Sequence, residues 1–147
     1  DKEFDNAEYY GIGPDESYVD KKRSGYHGKH CAEIHEMHED YLRPQENGSH
    51  TDCDYLILKG VNLTFAAAGE KTFSFNVSPY TQEELTAKKH SYELQPCGST
   101  VLCLDYAQNG IGSNSCGPEL SEQYRLDAEE FDFEIKMIIK PELFMSI

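Results

Sequence analysis

Apolar and polar residues alternate without a break along Phe131-Asp132-Phe133-Glu134-Ile135-Lys136-Met137, and again along Thr72-Phe73-Ser74-Phe75-Asn76-Val77. A period of two sends successive side chains to opposite faces, so each run predicts a strand with one wet face, and together they predict an antiparallel sheet. The first run extends over 131–139, and three further β-type runs, 54–58, 91–94 and 100–106, are punctuated by Gly, Pro and Asn. One short helix is expected. Thr81 stands three residues before Glu84, the spacing of a capping box, in which the hydroxyl accepts from a free N–H and the carboxylate reaches back. That helix should run to about Lys89. Strands at intervals with turn residues between them, and no repeat or low-complexity segment, predict an all-β antiparallel sandwich filling residues 1–147 as one domain.

Composition narrows the possibilities. Aromatic residues make up 12% of the chain, with ten Tyr, seven Phe and no Trp, which suits strands carrying half-buried rings. The formal charge of −14 argues against nucleic acid or an anionic membrane as partner, because both are bound through Lys and Arg. A neutral ligand, such as a sugar, is permitted. No apolar run approaches the roughly 18 residues of a spanning helix, and the charged start Asp1-Lys2-Glu3 is not a signal peptide. The five cysteines, Cys31, Cys53, Cys97, Cys103 and Cys116, are odd in number and form no compact pattern. They are expected to be free thiols in a cytosolic protein.

One loop stands out. Asn109-Gly110-Ile111-Gly112-Ser113-Asn114-Ser115-Cys116-Gly117-Pro118-Glu119-Leu120 follows the run 100–106 and holds three glycines, a proline and four short polar residues. Such a segment must turn sharply with little side-chain bulk, as a built loop and not a linker does.

The stretch Leu104-Asp105-Tyr106 through Gly117-Pro118-Glu119-Leu120, then Tyr124-Arg125-Leu126, resembles the C-terminal region of the large bacterial β-galactosidases of glycoside hydrolase family 2. Three more blocks match in order: Tyr10-Gly11-Ile12-Gly13-Pro14-Asp15-Glu16-Ser17-Tyr18, Pro44-Gln45-Glu46-Asn47-Gly48 with Thr51-Asp52, and Ser78-Pro79-Tyr80-Thr81-Gln82-Glu83-Glu84-Leu85. The resemblance implies the second half of a terminal β-sandwich of the galactose-mutarotase-like (supersandwich) type, opening in mid-fold with its other strands elsewhere and with sticky sheet edges if isolated. It places both catalytic glutamates on a separate barrel, so no catalytic residue is expected here. It also implies a retaining mechanism through a covalent galactosyl-enzyme intermediate. The 109–118 loop would close one wall of the substrate site, with Asn114, Ser115 and Cys116 as substrate-binding residues. Well-known members carry Trp where this chain has Cys116, and a thiol is a small soft contact, not an aromatic platform.

The resemblance further implies a cytoplasmic oligomeric enzyme acting on β-galactosides such as lactose. The remaining domains or a large subunit would be the partner, and any Mg and Na ions would lie outside this segment, which needs no cofactor of its own. The alternative is a stand-alone carbohydrate-binding or mutarotase-like module. A third possibility is an element that only packs against other domains.

With 27 Asp and Glu, no single carboxylate pair is informative, and Glu16, Glu46 and Glu119 are read as making turn hydrogen bonds or inter-strand ion pairs. The cluster from Cys31 to Asp40 contains His35 and His38, ligand types for zinc. Three residues apart they would oppose each other on a strand, so solvated strand histidines are expected. A nucleophilic Cys116 would need a nearby His or helix N-terminus, and the nearest histidine in sequence is His90. His50 and Lys21 stand where relatives carry Arg. His50 could supply a cation only near or below its reference pKa of about 6.5, and Lys21 loses the bidentate geometry of Arg.

Overall fold

The computed structural model describes residues 4–112 and 117–141. Six strands form one antiparallel sheet: β1 (Asn6–Gly13), β2 (Tyr26–Glu33), β3 (His50–Lys59), β4 (Leu63–Ser78), β5 (Val101–Asp105) and β6 (Ile135–Pro141). Their order is β2-β1-β3-β4-β5, and β6 also pairs with β4. The 16-residue β4 takes both neighbours end to end, β6 along its first half and β5 along Ser74 to Ser78. The fold is the expected all-β, partial sandwich with one short α-helix, α1 (Gln82–Ala87).

The core lies on one face of this sheet. Alternate positions bring together Ala7 and Tyr9 of β1, Cys53, Leu56 and Leu58 of β3, and Phe65, Phe73, Phe75 and Val77 of β4. A single 3-10 turn, Ile34–Met37, covers it with both of its end residues, because positions three apart eclipse in that geometry.

The wet face expected for 72–77 is wet at Thr72 but dry from Ser74 onward. Ser74, Asn76 and Ser78 are buried together with Phe73, Phe75 and Val77. The segment holding Asn47, Gly48 and Ser49 covers them: Asn76 Nδ2 donates to the Asn47 carbonyl, and Ser49 Oγ donates to the Phe75 carbonyl at 3.4 Å. Gly48 is required there, at φ +70°, since a Cβ would collide with the Met37 carbonyl oxygen.

Three further expectations need correction. Residues 91–94 form no strand: Ser91–Glu93 is a 3-10 turn, closed locally by the Glu93 carboxylate accepting from the Lys89 and His90 N–H groups at 2.9 and 3.0 Å. Strand structure in 131–139 begins only at Ile135, because Tyr106 collects both preceding phenylalanines, stacking on Phe131 at 4.8 Å and meeting Phe133 edge-on at 5.8 Å. In the helix cap, Thr81 Oγ1 accepts from Glu84 N–H at 3.1 Å as expected. Glu84 does not reach back; its Oε1 accepts from Gln95 N–H at 2.8 Å and faces Lys88 at 3.6 Å, and the helix ends at Ala87. Strands β1 and β2 were not foreseen.

Candidate substrate-loop site

The chain leaves β5 at Asp105 and reaches the loop through Gln108. Gln108 is a crosslink: its Nε2 donates to Asp105 Oδ2 at 2.9 Å and to Glu46 Oε1 at 3.4 Å, while its Oε1 accepts from Ser49 Oγ at 3.1 Å. Beyond it, Gly110 N–H donates to the Tyr124 carbonyl at 2.9 Å, and Asn109 Oδ1 accepts from Leu126 N–H at 2.6 Å. The next two amides, of Ile111 and Gly112, both donate to the carboxylate of Asp20, at 3.0 and 2.8 Å. Residues 109–112 are therefore held from two sides by bonds that span long stretches of sequence.

An open cleft of about 530 Å³ lies against this loop, lined by Tyr18, Glu46, Asp105, Gln108 and Ile111 among others. Burial, and then the nearby Asp105 carboxylate, raise the pKa of Glu46 above the usual carboxylate value. Burial raises Asp105 likewise, against the opposing effect of the Gln108 hydrogen bond. The wall thus offers two carboxyl groups and an amide, acceptors and donors suited to the hydroxyls of a neutral ligand. A second cleft, of about 400 Å³, opens at the other end of β5 between Phe4, Ile34, Pro96 and Thr100, away from the loop.

Beneath the cleft is a polar anchor. Glu16 is buried, and its carboxylate accepts from Lys21 Nζ at 2.5 Å, from the Tyr41 hydroxyl, and from Gly48 N–H at 2.8 Å. Burial pushes its pKa up, but these bonds outweigh it and hold the group below the usual range. The Lys21 contact is single, and the second oxygen of Glu16 is taken by the Gly48 amide.

Asn114, Ser115 and Cys116 lie outside the described residues. Glu16 pairs with Lys21 and exposed Glu119 with Arg125 at 3.2 Å, both as local pairs outside the strands and not between them. Glu46 instead lines the cleft. His35 and His38 are not on a strand: His35 lies in the 3-10 turn, exposed and 3.3 Å from Glu33, and His38, just after it, is half-buried edge-on against Tyr80. Among the described residues no group of three or more His, Cys, Asp or Glu could hold a metal ion. His50 supplies no cation at neutral pH. It is 2% exposed, packed between Tyr9 and Phe75, and burial lowers its pKa to about 4. Cys31, Cys53, Cys97 and Cys103 are free thiols. Asp20, Asp105 and Gln108 were not foreseen; for Asp105 the signal was its place at a strand end just before a glycine-rich loop.

Comparison with known proteins agrees with the fold. A family profile described as "Beta galactosidase small chain" matches residues 1–137. The chain is 52% identical over 137 residues to a β-galactosidase of Actinobacillus pleuropneumoniae, covering 93% of this chain and 13% of that protein. It is 40% identical over 139 residues to one of Staphylococcus xylosus, covering 93% and 14%, and 38% identical over 143 residues to one of Kluyveromyces lactis, covering 91% and 13%. The chain thus spans about an eighth of the length of these relatives. No helix among the described residues is long and apolar enough to cross a membrane. With four ordered sequence blocks, an antiparallel sheet and a profile match over nearly all its length, the chain belongs to the β-galactosidase small-chain family.

Proposed function

We propose that this chain is a non-catalytic portion of a β-galactosidase, an enzyme that hydrolyses terminal β-D-galactosides such as lactose with retention, and that its 109–118 loop borders the substrate site. The observation that carries this reading is the tethering of residues 109–112 between Asp20, Tyr124 and Leu126, at the rim of a cleft lined with hydroxyl-binding groups. A loop whose entry, residues 109–112, is held in place loses less entropy on contacting substrate, so it contributes orientation to a reaction whose two catalytic carboxylates sit on a separate barrel. Asn114, Ser115 and Cys116 are the residues proposed to touch the sugar.

The partner is the remainder of the parent enzyme, on the same polypeptide or as a large subunit. Met137, Ile138 and Ile139 of β6 are each more than half exposed, an apolar strand awaiting cover. The relatives are about seven or eight times longer than this chain, which supports the parent as the occupant. The assembled protein is proposed to be a cytoplasmic oligomer, with any Mg and Na ions bound outside this segment.

The test has two parts. The purified chain should show no turnover of a chromogenic β-galactoside, and genuine turnover would overturn the proposal. In the parent enzyme, Cys116→Trp should lower KM for an aryl β-galactoside roughly twofold to tenfold, the equivalent of the ~0.5–1.5 kcal/mol of added ring stacking. An unchanged KM would count against the loop's approach to substrate.

A further inference from the structure

We propose that Asp20 is a positioning residue for the substrate loop: its single carboxylate sets the backbone at Ile111 and Gly112, where the chain enters the loop. This rests on the reading that the loop borders the substrate site, and adds the element that holds it there. Both oxygens are engaged, Oδ1 by Ile111 N–H at 3.0 Å and Oδ2 by Gly112 N–H at 2.8 Å. Two consecutive amides converging on one anion form a backbone nest, an arrangement that fixes the direction of the chain, not merely its distance.

The glycines of the motif fit this role. A Cβ on Gly110 would stand 2.6 Å from Asp20 Cγ, and one on Gly112 would stand 3.0 Å from Oδ2. Neither glycine has the positive φ that would otherwise call for it. Gly-Ile-Gly is therefore spaced so that the two residues flanking Ile111 leave room for the carboxylate. Asp20 in turn is held by the tight turn in which Tyr18 N–H donates to the Lys21 carbonyl at 3.0 Å and Lys21 N–H donates back at 2.9 Å. Lys21 Nζ then reaches the buried Glu16 carboxylate. A continuous chain of contacts runs from buried Glu16 through Lys21 and Asp20 to the loop. The sequence separation of 91 and 92 residues between Asp20 and the amides it binds hid this from the sequence.

The experiment uses the full-length parent enzyme, comparing Asp20→Asn, Asp20→Ala and Gly110→Ala with Cys116→Trp, and reading kcat, KM and Tm with a chromogenic β-galactoside. Asp20→Ala is expected to raise KM roughly fivefold to tenfold, with kcat within about twofold and Tm unchanged, as loss of charge-assisted bonds that orient substrate predicts. Asp20→Asn, which keeps one accepting oxygen, should fall between. Gly110→Ala should raise KM in the native background and add little in Asp20→Ala, because the clash it creates is with the carboxylate already removed. A shift in KM with Cys116→Trp but none with either Asp20 variant overturns the Asp20 role and leaves the loop reading intact. No shift with any variant overturns both. A fall in Tm with unchanged KM makes Asp20 a merely structural residue, and also overturns the proposal. If Asp20→Ala does not assemble, the Asp20→Asn and Gly110→Ala kinetics decide the question.

Discussion

Lys21 Nζ lies 2.5 Å from Glu16 Oε1, and the carboxylate it neutralises is only 2% exposed although the lysine itself is 46% exposed. The pair is therefore half a buried ion pair. Removing the lysine strands an anion that still has the Tyr41 hydroxyl and the Gly48 amide as donors. Lys21→Met should destabilise the chain by about 2 kcal/mol, below the ~3–5 kcal/mol of a fully buried pair because water already reaches the cation. Urea unfolding at pH 7.5 measures this, and a change below about 0.5 kcal/mol would mean that the two remaining donors suffice. Lowering the pH should narrow the difference between wild type and variant. Glu16 has its folded pKa below the unfolded one, so its contribution is present above about 4.5 and is lost as the pH falls through the folded value.

His50 yields a second pH dependence. Its folded pKa, about 4, lies below the unfolded 6.5, so the unfolded chain takes up a proton across this window while the folded chain does not. Stability is then complete above about pH 6.5, falls as the pH drops from there to about 4, and levels off below. The full difference is about 3 kcal/mol. His50→Phe should flatten the part of the stability profile between pH 6.5 and 5, where carboxylates contribute least. An unaltered slope in the variant would place the titration elsewhere.

Gly11 faces Cys53 across the sheet so closely that a Cβ would overlap the thiol sulfur and sit 3.1 Å from the Cys53 Cα. Gly11→Ala should cost about 1–3 kcal/mol as overpacking. Cys53→Ala in the same chain should recover only part of that loss, because the clash with the backbone remains. Full recovery in thermal melts would show that the strand can shift.

The thiols should separate by reactivity. Cys31 and Cys97 are exposed, Cys103 is half-buried with its pKa raised by burial, and Cys53 is fully buried with its pKa raised further by the same cause. Under an alkylating reagent mapped by mass spectrometry, Cys31 and Cys97 should label first, Cys103 later and Cys53 only on unfolding. Early labelling of Cys53 would mean that the β1–β3 seam opens in the native state.

Periodicity found the strands that obey it and misread those bent to another task. The second half of β4 was legible because aromatic and polar residues alternate along 72–77, and β5 because a short apolar run stands between turn residues. β1 and β2 were not, since glycines at 11, 13 and 28 dilute the pattern; Gly11 and Gly13 are demanded by Cys53, Tyr9 and His30 packing over them. Phe131 and Phe133 carried a strand signal but serve Tyr106 instead. At the candidate site, the loop's turn-forming residues were visible from composition. Its anchors were not, because Asp20 and Gln108 gain their meaning only from partners 59 to 92 positions away.

The shared strand β4 has a consequence for motion. Its first half borders β6, where Met137, Ile138 and Ile139 face solvent, whereas Phe73 to Ser78 in its second half are buried on both faces. Breathing of the β6 end should be frequent and cheap, and should stop at the irregular register between Tyr55 and Cys53, where the ladder with β3 is already interrupted. Within Leu63 to Gly69, the alternate amides that bond to β6 would then exchange with solvent well before those of Phe73 to Ser78, while those bonded to β3 stay protected. The half of the strand that carries β5, and through it the cleft, stays quiet while the other half frays.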